Sequence, residues 1–225
     1  MTKISPMATD SGREHDYLPA AGRDALLPFY DVMTAALGVG RLHSALLTHS
    51  GLADGQRMLE IGCGTGKLSI QAKRTWPTVE VVGMDPDPLA LARAARKAKN
   101  LTGIRFDRGY SQALPYPDAC FDRVLSALML HHLDPEAKIA TAAEISRVLR
   151  PGGSLILADF AGDLASGVHG FLAHRVMKSG HLQDNRGDAI PQLLTAAGLE
   201  VVALPVRYHR VMGAIACYRA TRPAV

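Results

Sequence analysis

From Arg57 onward the chain alternates short apolar runs with stretches of helical periodicity. That alternation most narrows its fold, to βαβ units, a parallel sheet and helices on both faces. The expected strands are Met58-Leu59-Glu60-Ile61, Val79 to Met84, Ile104 to Phe106, Phe121 to Ala127 and Ser154 to Ala158. Asp134-Pro135 starts a helix, since Asp accepts from free N–H groups and Pro suits the first helical position; Pro151-Gly152-Gly153 is read as ending it. The closing runs Leu199 to Leu204 and Gly213 to Ala220 are joined by a link too short for a crossover helix, so they pair antiparallel if adjacent.

At 225 residues, 48% hydrophobic and 20% charged, the chain has the size and composition of one folded domain, which excludes a mainly disordered or collagen-like protein. Before the alternation, residues 1–52 hold helices without a strand. Leu26 to Leu47 is apolar at helical spacing, interrupted at Pro28 and at Gly38-Val39-Gly40, and the segment is expected to be an N-terminal helical cap or lid on a domain of residues 53–225. Residues 161–187 are read as an insertion on the acceptor side of that domain. No apolar run approaches the ~20 residues of a membrane span. Met1 to Arg13 lacks an apolar core with a small-residue cleavage site, so the expected location is cytoplasmic, without integral membrane association. Cys63, Cys120 and Cys217 are odd in number and far apart, which fits free thiols rather than disulfides or a zinc cage, and no metal is expected.

Lys+Arg 25 against Asp+Glu 21 leaves +4. The densest basic cluster, Arg93, Arg96, Lys97 and Lys99, places three of its members on one helical face and is read as a solvated surface rather than a nucleic-acid patch. The small excess therefore assigns no nucleic-acid partner.

Chemistry concentrates in Leu59-Glu60-Ile61-Gly62-Cys63-Gly64-Thr65-Gly66-Lys67-Leu68, a strand running into a glycine turn that opens a helix. Glycines let a ligand approach the backbone, and the helix start supplies unpaired N–H donors. Lys67 stands where a dinucleotide fingerprint has its third glycine, and Glu60 puts a carboxylate before the turn, disfavouring a pyrophosphate and favouring a ligand with a cationic ammonium group. Met84-Asp85-Pro86 follows at the end of the second strand. Asp85, 19 residues beyond Gly66, stands where nucleotide-binding α/β folds place an acid for ribose hydroxyls, whereas Asp87 is the better cap for the helix beginning near Pro88.

With these segments the sequence resembles the class I S-adenosylmethionine-dependent methyltransferases, in the small-molecule group that includes the quinone-biosynthesis C-methyltransferases. Leu59 to Gly66 matches the family's first motif and Asp85 its ribose acid. Leu114-Pro115-Tyr116-Pro117-Asp118 with Phe121-Asp122 matches the middle motif, and Leu149 to Gly153 the turn into strand five. The resemblance implies an α/β, Rossmann-like, doubly wound seven-stranded sheet with an antiparallel last strand, and S-adenosyl-L-methionine as cofactor. It implies that Glu60 serves the methionine ammonium end, that Gly62, Cys63 and Gly64 line the cofactor, and that Asp85 with Pro86 holds the ribose side. Ser111 and Gln112 fall near the adenine edge and Ser126 near the methionine moiety. One departure stands out: Gly109-Tyr110-Ser111 replaces the usual Gly-Asp-Ala, so Tyr110 or a backbone group takes the place of the acid facing the adenine amino group.

A sulfonium cofactor is already activated, so the protein's task is to hold a nucleophile in line with the methyl carbon in a dry pocket, and a base is needed only if the acceptor loses a proton. His131 and His132 after strand four and Asp159 after strand five are the catalytic candidates, with a purely structural role for the histidine pair the competing reading. Tyr17 and Tyr30, with Phe29 and Asp31, are candidates for a lid over the acceptor, against core packing as the plainer role. His169, His174 and His181 are candidates for the acceptor pocket, at a spacing that does not suit a metal triad. The expected function is methyl transfer to a small molecule by a monomer or homodimer. The glycine loop and Asp85 alone also permit a nicotinamide-dependent oxidoreductase, and the changed adenine position permits a non-catalytic S-adenosylmethionine-binding partner protein.

Overall fold

The structure is a computed structural model that describes residues 39–160, 187–209 and 213–224. Seven strands, β1 (Arg57–Ile61), β2 (Glu80–Asp85), β3 (Ile104–Arg108), β4 (Phe121–Ala127), β5 (Leu149–Phe160), β6 (Glu200–His209) and β7 (Gly213–Thr221), form one sheet in the order β3-β2-β1-β4-β5-β7-β6. β1 to β5 are parallel, and β7 runs antiparallel to both β5 and β6. The expected antiparallel hairpin is therefore present, with β7 inserted between β5 and β6. The winding direction reverses between β1 and β4, so their carboxyl ends flank the crevice where such sheets bind ligands. Register brings Ile61 level with Met84 on one side and Ser126 on the other, and Ser126 level with Leu157.

Both faces are covered, as the near-continuous apolar strands require. On one face Leu59, Ile61, Val82, Met84, Val124 and Leu157 pack against α4 (Pro135–Val148) and α5 (Ala189–Ala196) through Ala142, Ile145, Ile190 and Leu194. On the other, Met58, Val81, Leu125 and Ile156 pack against α1 (Val39–Ser50) and α2 (Lys67–Thr75). α1 commits Leu42, Leu46 and Leu47 to this second layer, each buried to 4% exposure or less, at about 1.5–3 kcal/mol per side chain. Residues 39–50 are thus a helix of the sheet's own core. The Gly38-Val39-Gly40 interruption is corrected in part: the helix includes Val39 and runs on through Gly40, because burial of that leucine stripe outweighs one glycine's propensity cost of about 1 kcal/mol.

α3 (Pro88–Lys97) starts as read, with Asp87 Oδ1 accepting from the N–H groups of Leu89 and Ala90. α4 starts on Asp134, which accepts from Ala137. Pro151-Gly152-Gly153 needs correcting, since α4 ends at Val148 and these residues lie within β5. Pairing jumps there from Phe121↔Leu149 to Arg123↔Ser154, a bulge made possible by Gly152 at φ +76° and by Gly153, where a Cβ would sit 2.8 Å from the Arg150 carbonyl. Arg222 pairs its backbone with Gly152 and Gly153 across the bulge, and its guanidinium donates to the carbonyls of Ser146, Arg147 and Leu149, satisfying the end of α4. All three cysteines are buried and none forms a disulfide, and no described helix is long and apolar enough to cross a membrane.

Candidate functional site

The loop between β1 and α2 is held from three sides. Gly62 N and Cys63 N both donate to the Met84 carbonyl at 2.9 and 3.0 Å, and Gly66 N donates to Cys63 O at 2.8 Å. Gly62, Gly64 and Gly66 have φ of +72°, +50° and +74°, a region open mainly to glycine. Their surroundings differ. A Cβ on Gly62 would meet Met129 Cγ at 2.4 Å, and one on Gly66 would meet Ala94 at 2.8 Å and Phe106 at 2.9 Å, whereas nothing lies within 4 Å of one on Gly64. Gly64 is the loop's open side. Cys63 turns its buried thiol into the protein, where a Cβ on Gly83 would come within 3.0 Å of its Sγ, so only its backbone faces the loop's outer side.

α2 begins at Gly66 without a side-chain cap. Glu60 substitutes from the strand: its Oε2 accepts from Ser69 N at 2.7 Å, the third helical N–H, and from the Ser69 hydroxyl. Burial pushes the Glu60 carboxyl up to about 8, against the lowering effect of the two Ser69 bonds and with a smaller push from Asp85. Asp85 closes the loop from β2, its Oδ2 accepting from Gly64 N at 2.8 Å and its Oδ1 from Asp87 N at 3.0 Å. Its pKa is also raised, by burial first, with the two backbone N–H bonds opposing and Asp87 adding to the rise. Each oxygen keeps a lone pair for a further donor. Two buried carboxylates held above their ordinary range make the mouth of the loop a place that gains from a positive charge.

Lys97 reaches the loop from α3, its Nζ donating to Thr65 O at 3.0 Å. This corrects the reading of that basic cluster as solvated surface: Arg96 and Lys99 are exposed, but Lys97 is half-buried and braces the turn. Ser126, at 1% exposure, donates to Ile61 O at 3.2 Å and ties β4 to β1 at the crevice. Ser111 is buried and shares a hydrogen bond of 2.8 Å with Thr141 of α4, Gln112 is exposed, and Pro86 is half-buried with its carbonyl accepting from Arg108. Tyr110 is 37% exposed. α4 fixes the segment after Tyr110 through Glu144, which accepts from Leu114 N, and Arg147, which donates to the carbonyls of Leu114 and Tyr116.

At the end of β4, Leu128 adopts φ +55° while its N–H donates to Ala158 O, and the chain turns through Met129 into a short 3-10 segment, Leu130–His132. Two of the three catalytic candidates meet there. His131 Nδ1 lies 2.8 Å from Asp159 Oδ1, both side chains at 6% exposure or less, and His131 N and Phe160 N also donate to that carboxylate. His132 lies over His131 with ring centroids 4.0 Å apart, and it is exposed. The protein around it holds its pKa below the usual histidine range, the neighbouring His131 adds to this, and Asp159 opposes it. Ser69, Lys97 and Met129 escaped the sequence reading. Only Ser69 left a signal, a hydroxyl at the third position of a helix whose cap residue is glycine. Tyr17, Phe29, Tyr30, Asp31, His169, His174 and His181 lie outside the described residues.

A glycine loop joined to an acid on the neighbouring strand, at the switch point of a sheet whose last strand is reversed, defines the class I S-adenosylmethionine-dependent methyltransferase fold. Residues 58–153 match the model of the methyltransferase domain. The chain is 39% identical over 151 residues to the demethylmenaquinone methyltransferase of Deinococcus radiodurans, a match covering 65% of this chain and 61% of that protein. The chain thus spans about three fifths of that relative's length. Among solved structures it is similar to the cyclase SpnF, with TM-score 0.69, 22% identity and coverage of 82% of this chain and 81% of that one. It is also similar to phosphoethanolamine N-methyltransferase 2 of Haemonchus contortus in complex with S-adenosyl-L-methionine, with TM-score 0.68, 16% identity and coverage of 81% and 52%. At these identities the two structures bear on the fold alone.

Proposed function

We propose that the chain binds S-adenosyl-L-methionine and transfers its methyl group to a small-molecule acceptor by in-line displacement. The observation that carries this reading is the pairing of Gly64 and Asp85: a loop position open to a ligand, with its N–H bonded at 2.8 Å to a carboxylate that has acceptor capacity to spare. The residues fit the cofactor, since a Cβ at Gly64 would occupy the space that a close approach needs. Asp85 takes the ribose hydroxyls, the loop backbone at Gly62, Cys63 and Gly64 faces the methionine portion, and Ser126 borders it from β4. Pro86, Ser111 and Gln112 flank the adenine side. Glu60, protonated in the ligand-free protein, takes up its charge when the cationic ammonium end of the cofactor arrives beside it, while its Oε2 caps α2. When bound, the cofactor supplies a methyl group already activated on a sulfonium.

The name of the Deinococcus relative supports a partly apolar acceptor such as a quinone precursor. The turning of Lys97 toward the loop leaves the basic cluster on α3 a poorer track for nucleic acid. Buried thiols outside any disulfide suit a reducing, cytoplasmic setting, and a monomer or homodimer suffices for a site built within one sheet. Calorimetric titration of the full chain with S-adenosylmethionine, S-adenosylhomocysteine and NADH tests the cofactor. The two sulfur ligands are expected to bind in about the 1 μM–1 mM range usual for enzyme ligands. NADH binding without S-adenosylmethionine binding would overturn the reading. Incubation with methyl-labelled cofactor and cell extract then separates an enzyme, which yields a labelled small product, from a non-catalytic binding protein.

A further inference from the structure

We propose that His131 is the general base of the reaction, with Asp159 as its positioning residue, and that the acceptor atom is the oxygen of an acidic, phenol-like hydroxyl. The inference rests on the methyl-transfer reading and adds to it the acceptor class.

The pair is built as a proton acceptor. Asp159, fully buried, receives His131 N at 3.3 Å and Phe160 N at 2.7 Å besides His131 Nδ1 at 2.8 Å, so its two oxygens are fixed by backbone donors before the ring is considered. A carboxylate so placed takes the ring's remaining contact as an acceptor, which assigns the proton to Nδ1 and leaves Nε2 with its lone pair. The contacts of His131 are made by Nδ1, the backbone N and the ring faces, so Nε2 is unengaged among the described residues. Phe160, at 4.8 Å and nearly perpendicular, and His132, at 4.0 Å, hold the ring's plane. Asp159 from β5 and His132 from the same turn are the titratable groups in contact with it among the described residues.

The turn is also placed at the crevice. Leu128 carries a left-handed backbone that disfavours a leucine, and the excursion brings Met129 against Gly62 of the glycine loop. The strain is thus spent where the end of β4 meets the loop, three residues before His131. A base has a use only for an acceptor that must give up a proton as it attacks. Thiolates and aryl amines offer a lone pair without one, a ring carbon gives up its proton only after the carbon–carbon bond has formed, and a hydroxyl with pKa near 10 is within reach of an imidazole. In the step, the hydroxyl oxygen bonds to the methyl carbon as the carbon–sulfur bond breaks, and that bond's electron pair stays on sulfur. The hydroxyl proton passes to His131 Nε2, and the imidazolium, stabilised by Asp159, later returns it to solvent.

The test uses the full chain, methyl-tritiated S-adenosylmethionine and three probes of one shape: 2-naphthol, 2-naphthylamine and 2-naphthalenethiol. kcat, KM and cofactor affinity are measured from pH 5.5 to 9.5 for the wild type, His131→Gln, His131→Ala and Asp159→Asn. We expect 2-naphthol to be methylated at oxygen with a kcat that falls on the acid side as His131 protonates. Both His131 variants should lose about 10²–10⁴-fold in kcat at pH 7, with KM and cofactor affinity within about threefold of wild type. Their deficit should shrink toward pH 9.5, where the naphthol ionises unaided, and Asp159→Asn should shift the acid limb. Wild-type rates in the variants would overturn the proposal, as would a pH-independent deficit accompanied by lost cofactor affinity, which marks a structural role. Methylation of the amine or thiol in preference to the naphthol, or of no probe by a chain that binds the cofactor, would overturn the acceptor class. Failure of the wild type to bind S-adenosylmethionine would instead sink the underlying reading.

Discussion

Glu60 and His43 show how single buried groups set the protein's response to pH. Burial pushes Glu60 up to about 8, and burial together with the Lys67 charge pushes His43 on α1 down to about 4. Between pH 4.5 and 8 the native state keeps a proton on Glu60 that the unfolded chain releases, so this group's contribution to stability declines as pH rises through that window. Between pH 4 and 6.5 the unfolded chain protonates His43 while the native state does not, so stability rises with pH there. The two trends oppose one another between pH 4.5 and 6.5, and above that the Glu60 trend remains; Asp85, whose pKa burial also raises, contributes with the sign of Glu60. The melting temperature of the ligand-free protein is therefore expected to change little between pH 4.5 and 6.5 and to fall toward pH 8. Glu60→Gln should flatten that fall while His43→Gln should extend it below pH 6.5, as followed by thermal melts at constant ionic strength. A melting curve rising from pH 6.5 to 8 would show that Glu60 is ionised in the native state.

The glycine loop is an element in which folding and binding can be separated by position. Gly64→Ala introduces left-handed strain of about 1–2 kcal/mol into open space, so it should cost a few degrees of melting temperature while weakening S-adenosylmethionine binding at least tenfold. Gly66→Ala adds to the same strain a collision with Ala94 and Phe106, worth about a further 1–3 kcal/mol, and should be the less stable protein. Calorimetry and melting on the two variants check the contrast, and normal affinity in Gly64→Ala would move the ligand away from the loop. This loop, β1 to β4 and both Asp caps were legible in the sequence because each depends on local chemistry, a glycine turn or a short side chain beside free N–H groups. The bulge at Pro151-Gly152-Gly153 was not, since whether a Pro-Gly-Gly stretch turns the chain or bends a strand depends on Asp122 of β4 and on Arg222 beyond β7 lying alongside it. Glu60 was legible as a carboxylate at the base of the loop but not as the cap of α2, because the partner, Ser69, comes to it only when the loop folds back. Likewise nothing local to Lys97 says that its helix will carry it to Thr65. Asp159 and His131 were separately visible as strand-end residues, and only the parallel pairing of β4 with β5 turns them into a pair.

Across the whole molecule, the residues proposed for the cofactor site fall between Glu60 and Ser126, and the His131–Asp159 pair lies with them at the carboxyl ends of the parallel strands. The rest of the described chain supports that edge. α1 lies in the second core layer with Leu42, Leu46 and Leu47, and β6 and β7 extend the sheet on the side away from β1. This division leaves acceptor recognition to chain outside the cofactor span, which is where Tyr17 and Tyr30 enter as proposed lid residues. If they contact the acceptor, Tyr17→Ala and Tyr30→Ala should each raise the acceptor KM by about tenfold, the loss expected when one aromatic contact worth ~1.4 kcal/mol is removed, while the S-adenosylmethionine dissociation constant and the melting temperature stay near wild type. If instead the rings belong to packing, truncation of a large aromatic should cost stability of about 3–5 kcal/mol. Measuring KM, cofactor affinity and melting temperature on the same preparations separates the outcomes. A drop in melting temperature with unchanged KM would place both tyrosines in the core and require acceptor recognition to come from residues 161–187 instead.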